Sequence, residues 1–311
     1  MIASRRQFLF GSAALATAAL LPSGAAAQKS GTRIILLGTK GGPTVGNGGR
    51  SNAATLLLIG GEAYVVDCGY GVTRQLVSAG VRSVRYIVIT HHHSDHDLEY
   101  GALIYNGWVG TPQTINIDAY GPKGLEEMTR DFFRYEKLDI ETRIKDEGLY
   151  DLRKNVRAHD LDHEGAVLRN AAVTVTSCRV SHPPITESYA YRFDAKDRSV
   201  VISGDTAYLP KLANFAKGAD VLIHEAMYLP AVDALAKSSP NPERLRQHLL
   251  ASHTSTEDVG RIAEEAGVKT LVLSHLVPGV AGTAITDEMW AEGVRKHYSG
   301  KLIVGKDLLE I

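Results

Sequence analysis

Residues 90–96 constrain this chain more than any other stretch, because they place potential metal ligands directly after an apolar strand. The run 86–89 is followed by Thr-His-His-His-Ser-Asp-His, which contains four of the twelve histidines of the chain. A strand that ends in a tight loop holds such side chains around one point. Imidazole together with carboxylate favours zinc, iron or manganese over magnesium or calcium. The loop therefore predicts a divalent metal site.

A solvated polyhistidine loop and a purification tag are the alternatives for this stretch. A tag lies at a terminus and is not interrupted by an aspartate, whereas this run lies inside the chain and contains Asp95. The residue types and their order therefore favour metal binding.

The composition is that of an ordinary folded protein. The chain has 311 residues, of which 44% are hydrophobic and 22% charged, and its net charge is −1. These values argue against a disordered or fibrous chain, and they supply no overall positive field for nucleic acid. Cys68 and Cys178 lack the CxxC spacing of a redox or zinc pair. Both lie in apolar runs, which favours buried free thiols and leaves one disulfide as the alternative.

The first 27 residues have the pattern of an export signal. Arg5 and Arg6 precede an apolar run that ends near position 21, and an Ala-x-Ala cleavage site occupies positions 25–27. The run is short for a membrane-spanning helix, and the paired arginines resemble a twin-arginine signal. We therefore expect residues 1–27 to be removed and residues 28–311 to form a periplasmic domain with no stable membrane association. The alternative is a cytoplasmic protein with a chance amphipathic tail.

Polar side chains of the metal-ligand type follow predicted apolar strands at five places. They are His91, His182, Asp205, His224 and His275. Loops at the ends of strands on one edge of a sheet converge on a common cleft. Strands dominate the first part of the chain and then alternate with helices, which predicts a layered α/β arrangement in one domain. Any one of these histidines alone is more often structural, but five placements together favour a metal site.

The pattern of these residues resembles the metallo-β-lactamase-fold hydrolases over nearly the whole mature chain. The matching residues are His91-x-His93-x-Asp95-His96, His182, Gly204-Asp205 and His275. Further matches point to the branch that contains ribonuclease Z and related arylsulfatases, namely Leu37-Gly38-Thr39, Asp67-Cys68-Gly69, Ser203-Gly204-Asp205-Thr206, His224-Glu225-Ala226 and His253-Thr254-Ser255. The resemblance implies an α/β fold of the four-layer αββα sandwich type.

The resemblance also implies a site with two divalent metal ions, expected to be Zn²⁺. The implied ligands are His91, His93 and His182 for one ion, Asp95, His96 and His275 for the second, and Asp205 bridging both. His92 and Ser94 occupy variable positions and are not expected to be ligands. Two ions about 3.5–4 Å apart can share a hydroxide, lower its pKa and polarise the bond that it attacks.

Three residues are expected to take part in the reaction itself. Asp95 is a metal ligand that also accepts the proton of the nucleophile, and Glu225 with His253 resembles a proton-relay pair. Asp67 is expected to brace the metal loop by hydrogen bonds. The histidines that match no motif are interpreted as surface or structural residues: His159, His163, His248 and His297.

The expected substrate is a small-molecule ester and not a nucleic acid. Ribonuclease Z enzymes usually carry an arm that grips tRNA, inserted before the Ser-Gly-Asp strand, and residues 188–203 leave no room for it. A sulfate ester, a phosphodiester and a carboxylic ester or lactone all develop anionic oxygen on attack by water, so the site alone does not separate them.

Three alternatives stay open at this level. They are a periplasmic β-lactam hydrolase, whose ligand set often lacks a carboxylate of the Asp205 type, a ribonuclease Z-like phosphodiesterase that acts on RNA, and a non-catalytic binding module. The sequence also leaves open whether the chain forms a homodimer.

Overall fold

The computed structural model describes residues 31–45, 49–279 and 285–311. The expected export signal, residues 1–27, lies outside these ranges and stays a prediction. The described chain from Gly31 to Ile311 forms one compact unit. No helix in this part of the chain is long and apolar enough to cross a membrane.

Two β-sheets form the centre of the molecule. The first has six strands, which neighbour one another in chain order: β1 (Arg33–Gly38), β2 (Ala54–Ile59), β3 (Glu62–Val66), β4 (Tyr86–Val88), β5 (Ile117–Pro122) and β6 (Val156–Leu161). The second has seven, also neighbouring in chain order: β7 (Gly165–Arg169), β8 (Val173–Arg179), β9 (Tyr189–Ala195), β10 (Ser199–Ile202), β11 (Val221–Met227), β12 (Thr270–Val277) and β13 (Lys301–Val304).

Helices cover the outer face of each sheet. The helices in the part of the chain that forms the first sheet are α1 (Val72–Ser78), α2 (Ser94–Asp97), α3 (Tyr100–Gly110), α4 (Leu125–Tyr135) and α5 (Lys137–Asp146). Those of the second half are α6 (Pro210–Phe215), α7 (Val232–Ala236), α8 (Pro242–Ser252), α9 (Thr256–Ala266) and α10 (Asp287–Arg295). The order helix, sheet, sheet, helix confirms the expected layered α/β fold.

Strand β1 shows how the sequence encodes these layers. Ile34 and Leu36 pack between the two sheets, whereas Ile35 and Leu37 face the helices on the outside of the first sheet. Successive side chains of a strand point to opposite faces, so a strand that is buried on both faces is apolar throughout. This explains the unbroken run Ile-Ile-Leu-Leu, which carries no alternation.

The turn between β2 and β3 consists of two glycines. Gly60 and Gly61 have φ values of 59° and 86°, which lie in the left-handed region. A two-residue hairpin turn whose twist matches its strands requires positive φ at both positions, and glycine adopts it without steric cost.

Residues 125–154, whose sequence is charged and periodic, pack on the outside of the first sheet and do not form a lid beside the site. Leu125 and Ile140, from α4 and α5, and Leu152 are buried against the outer face of the first sheet. Their charged positions are the solvent side of amphipathic helices. The N-cap of α9 is Ser255, whose Oγ accepts a hydrogen bond from the backbone N–H of Asp258.

The topology brings functional residues of both sheets to one edge. Strands β3, β4 and β5 are parallel to one another in the first sheet, and β10, β11, β12 and β13 are parallel in the second. The carboxyl ends of parallel strands lie at the same edge, where such folds bind ligands. Asp67, the loop 90–96, Asp205, Glu225 and His275 all lie at or near such strand ends.

Candidate metal centre

The histidine side chains of the loop after β4 point in two directions. His91 and His96 are fully buried, and Asp95 lies with His96 in the single turn of α2. His92 points elsewhere, because its Nδ1 lies 3.0 Å from Asp97 Oδ2 and its Nε2 lies 3.3 Å from the carbonyl oxygen of Pro122. The structure therefore gives His92 other partners than the cluster.

The first group of ligand atoms consists of three imidazole nitrogens. His93 Nδ1 lies 3.0 Å from His91 Nε2 and 3.2 Å from His182 Nε2. The other nitrogen of His182 donates to the carbonyl oxygen of Ser252 at 2.9 Å, so in the neutral ring the lone pair is on Nε2. Three imidazoles whose nitrogens face one another in this way fit a shared cation better than hydrogen bonds among themselves.

The second group consists of Asp95, His96 and His275, whose ligand atoms lie within 4.8 Å of one another. Asp95 Oδ2 is 3.4 Å from His275 Nε2 and 3.8 Å from His96 Nε2. His275 reaches the site because it is the extra residue of a β-bulge in β12, where its φ is 41°. A bulge redirects one side chain out of the strand alternation.

Asp205 lies between the two groups. Its Oδ2 is 3.1 Å from His275 Nε2, 3.4 Å from His96 Nε2 and 4.0 Å from His91 Nε2. The preceding Gly204 has a φ of 59°, and a Cβ there would lie 2.8 Å from the carbonyl oxygen of Tyr189. Only glycine fits this tight approach, which delivers Asp205 to the centre of the cluster.

Unpaired polar atoms fit the same arrangement. His96 Nε2 and Asp205 Oδ1 are buried and have no hydrogen-bond partner among the residues that the structure describes. A buried polar atom without a partner costs free energy. A divalent cation between these residues would satisfy both atoms, and nitrogen and carboxylate oxygen are the donors that zinc binds. The residues present therefore fit a two-metal site.

The charge states agree with metal binding at most positions. Burial lowers the pKa of His182 to about 4, and burial together with neighbouring His96 holds the pKa of His91 well below its usual value. Burial raises the pKa of Asp205, but the neighbouring His275 and His96 outweigh this effect and hold it well below its usual range. Neutral imidazole and ionised carboxylate are the forms that bind a metal ion.

His96 is the exception in the metal-free chain. Burial lowers its pKa, but the charges of Asp205 and Asp67 outweigh burial and raise the pKa well above the usual value. Metal binding at His96 would therefore displace a proton.

Asp67 braces the metal loop. Its carboxylate accepts hydrogen bonds from the Thr90 backbone N–H at 2.7 Å and the Thr90 hydroxyl at 2.9 Å, and it lies 2.8 Å from His96 Nδ1. A carboxylate on the second nitrogen of an imidazole fixes the ring orientation and raises its basicity as a ligand. Asp67 itself has a φ of 61°, an uncommon backbone conformation for a residue other than glycine.

A clamp on Gly42 is the part of the site that sequence reasoning missed. The Gly42 N–H donates to Asp95 Oδ2 at 2.9 Å, and its carbonyl oxygen accepts from Lys40 Nζ at 2.5 Å and Asn52 Nδ2 at 2.8 Å. Lys40 is only 1% exposed. The one available signal was its position directly after the matched Leu-Gly-Thr run, because a lysine by itself predicts a surface residue.

Glu225 and His253 form a hydrogen-bonded pair beside the cluster. Glu225 Oε1 lies 3.1 Å from His253 Nδ1 and also accepts from the backbone N–H groups of Thr206 at 3.1 Å and Thr254 at 3.2 Å. Burial lowers the pKa of His253, but the charge and hydrogen bond of Glu225 outweigh it and raise the pKa to about 9. The pair can therefore hold a proton at neutral pH.

Two histidines differ from their expected places. His224 does not join the site: it is buried within β11, and its Nδ1 lies 2.7 Å from the carbonyl oxygen of Glu225. His248, expected to be a surface or structural residue, lines the cavity beside the ligands. The remaining unmatched histidines lie beside carboxylates away from this cavity, namely His159 with Asp118, His163 with Asp162 and His297 with Glu257.

A cavity of about 450 Å³ opens directly beside the two ligand groups. Ligand-type side chains on its wall are His93, Asp95, His182, Asp205, His253 and His275. A substrate in this cavity would therefore contact both the implied metal positions and His253 of the Glu225–His253 pair.

Comparisons with known proteins agree on one family. Residues 63–276 match the model of the beta-lactamase superfamily domain. Ribonuclease Z of Mycobacterium avium (strain 104) is 30% identical over 284 residues, which span 88% of this chain and 96% of that protein.

Solved structures share the fold at lower identity. The metallo-β-lactamase fold protein YhfI of Bacillus subtilis is 22% identical with a TM-score of 0.63, covering 90% of this chain and 98% of its own. The short form of human tRNase Z is 20% identical with a TM-score of 0.63 and the same two coverages, 90% and 98%. Both similarities concern the fold alone.

Replacing Asp205 with asparagine tests its bridging position. The amide keeps the shape of the side chain but removes the negative charge between the two groups, so we expect metal affinity to fall at least about tenfold. Metal content after dialysis, measured by plasma mass spectrometry, reports the loss. Glu225→Gln is the matched control, since it neutralises an equally buried carboxylate outside the ligand set. An Asp205→Asn protein that retains the full metal content of the parent would contradict the assignment.

Proposed function

The chain belongs to the beta-lactamase superfamily of metal-dependent hydrolases, and we propose that within this superfamily it is a phosphodiesterase with two zinc ions. The observation that carries the proposal is the position of the Asp205 carboxylate between two ligand groups, with the Glu225–His253 pair beside it. Two ions held by these ligand groups would suit an in-line displacement at phosphorus. A β-lactam hydrolase often lacks such a bridging carboxylate, and so this arrangement favours phosphodiester hydrolysis.

The relatives favour a phosphodiester over the other esters. The curated relatives at 27–30% identity carry the name Ribonuclease Z, and a ribonuclease cleaves phosphodiester bonds. Phosphodiesters were one of the ester classes that the sequence allowed. Sulfate esters, carboxylic esters and lactones receive no support from these relatives.

The side chains suggest how the reaction proceeds. Bound zinc ions would supply a nucleophilic water of lowered pKa and neutralise the phosphoryl oxygens. Asp95 accepts the proton of the attacking water as a new P–O bond forms. His253, protonated on both nitrogens and held by Glu225, donates a proton to the leaving oxygen as the ester P–O bond breaks. The products are a phosphomonoester and an alcohol.

RNA is the second candidate substrate, and the names of the relatives favour it. This disagrees with the sequence expectation that no nucleic acid is a partner. Against RNA, β9 ends at Ala195 and β10 begins at Ser199, so only residues 196–198 connect them. That connection leaves no place for an RNA-gripping arm before the Ser-Gly-Asp segment.

A substrate panel tests the proposal. The zinc-loaded protein is offered an aryl phosphodiester, a precursor tRNA with a 3′ extension, an aryl sulfate, a lactone and a β-lactam. We expect the highest kcat/KM on one of the two phosphodiesters, measured by release of the aryl alcohol or of the RNA trailer. Faster hydrolysis of the sulfate, the lactone or the lactam would overturn the proposal.

Replacing His253 with alanine should slow the reaction without removing metal. Loss of a proton donor to the leaving oxygen costs about 10²–10⁴-fold in kcat. Turnover and metal content are measured on the same preparation, with His297→Ala as a control in which both stay at the parent level. Metal loss in the His253→Ala protein would show that His253 is a ligand instead.

The pH dependence of kcat/KM should report the effect of the Glu225 charge on the pKa of His253. The raised pKa of His253, about 9, keeps its proton at neutral pH, and the proton is lost as the pH rises through that value. Removing the Glu225 charge leaves burial as the dominant effect and lowers the pKa. We therefore expect Glu225→Gln to move the alkaline fall in kcat/KM to lower pH. An alkaline limb at the same pH in both proteins would argue against this pairing.

A further inference from the structure

The cavity beside the ligand cluster has one polar wall and one apolar wall. Its polar wall consists of the ligand-type side chains. Its apolar wall consists of Leu235 of α7, Leu245 and Leu249 of α8, Val277 at the end of β12 and Pro278 after it. The cavity therefore extends from the reacting centre into a recess that is built for an apolar group.

The apolar wall is a fixed part of the fold. Leu249 and Val277 are buried, at 5% and 3% exposure, in a small cluster with Met227 and Val232. Leu235 and Leu245 are partly buried and pack against the same cluster. Because α7 and α8 are anchored in this way to the ends of β11 and β12, the recess is preformed, as is usual for small-molecule sites.

The described lining of the recess offers no lysine or arginine side chain for a second anionic group. Among the described residues that line it, the ionisable ones are two carboxylates and five histidines, and no lysine or arginine is present. The nearby cations have other partners: Lys40 Nζ donates to backbone carbonyls, and Arg246 Nε donates to Asp233 Oδ1 at 2.7 Å. A further phosphate of a nucleic-acid strand would find no lysine or arginine among these lining residues to neutralise it.

His248 adds a positioned polar group to this wall. Its ring centroid lies 6.0 Å from that of His182 and 6.1 Å from that of His253. Its Nδ1 lies 3.3 Å from Ser252 Oγ, and that hydroxyl donates to the carbonyl oxygen of Pro183 at 2.6 Å. The hydroxyl therefore accepts a hydrogen bond from His248 Nδ1, and this bond fixes the orientation of the imidazole ring. The other ring nitrogen, Nε2, is not used in this bond, and the side chain lines the cavity.

We propose that this recess binds an uncharged aromatic group attached to the phosphodiester, and that Leu245 and His248 set this preference. The inference rests on the proposed phosphodiesterase activity and gives it a substrate class: small diesters that carry a flat apolar ring, in place of a polyanionic strand. The ring lies between the leucines of α7 and α8, while the phosphate lies at the metal centre. Leu245 supplies apolar contact and His248 closes the wall next to the ligands.

Two phosphinates isolate the recess from the chemistry. Diphenylphosphinate and dimethylphosphinate carry the same anionic PO₂ group, have no ester bond to hydrolyse, and differ only in their substituents. Binding to the zinc-loaded protein is measured by calorimetry. Burial of one aromatic ring predicts at least about tenfold tighter binding of the diphenyl compound. Affinities within about twofold of each other would overturn the inference.

Variants on one helix distinguish binding in the recess from nonspecific hydrophobic binding elsewhere on the surface. Leu245→Lys places a charge in the recess and should remove the preference for the diphenyl compound. Leu250→Lys is the matched control, because Leu250 lies on the same helix, is 40% exposed and does not line the cavity. His248→Ala should weaken the binding of the diphenyl compound several-fold and leave the metal content unchanged. A preference that survives both Leu245→Lys and His248→Ala would contradict the proposal.

A kinetic arm distinguishes this inference from the activity on which it rests. Bis(4-nitrophenyl) phosphate and methyl 4-nitrophenyl phosphate release the same leaving group, and only the retained substituent differs. We expect Leu245→Lys to lower kcat/KM for the bis-aryl diester much more than for the methyl diester. Equal losses in kcat/KM on both diesters would contradict the recess preference but not the phosphodiesterase proposal. Hydrolysis of neither by the parent protein would remove the phosphodiesterase proposal itself.

Discussion

The buried carboxylate of Asp205 is the interaction on which the rest of the site depends. A charge that is almost fully removed from water is tolerated only with opposite charges or cations nearby. The fold meets this need by directing nitrogens of His91, His96 and His275 to the same oxygen. In the metal-free chain His96, whose pKa is raised well above its usual value, compensates the charge with a proton, and in the metal-bound chain the cations would do so. The site is therefore organised around charge balance before it is organised for catalysis.

The two-sheet architecture makes this convergence possible. The first sheet contributes the loop 90–96 and its brace Asp67, whereas the second contributes Asp205, Glu225 and His275. Neither sheet holds enough ligands alone. Packing of the sheets through a continuous apolar core fixes the distances between ligands that are far apart in sequence. A site assembled in this way on rigid strand ends can be precise, and the cavity wall formed by α7 and α8 is anchored to the same sheet by its own apolar cluster.

The sequence predicted what depends on local pattern. The loop 90–96 follows its strand directly, and the Gly-Gly hairpin has a strong local signal, so both could be read from the chain alone. The expectation that His224 joins the site was wrong, because β11 continues to Met227. Neighbouring residues of a strand face opposite sides, so Glu225 faces the site and His224 does not. Lys40 and His248 could not be placed, since their roles depend on tertiary contacts that carry no periodic signal.

The most direct test of the account is a zinc titration of the metal-stripped protein, followed by native mass spectrometry and by hydrolysis of an aryl phosphodiester. Two ions are expected to bind per chain, and hydrolysis is expected to appear with the second, because both ligand groups share Asp205. Full activity with a single bound ion, or saturation at one ion, would contradict it.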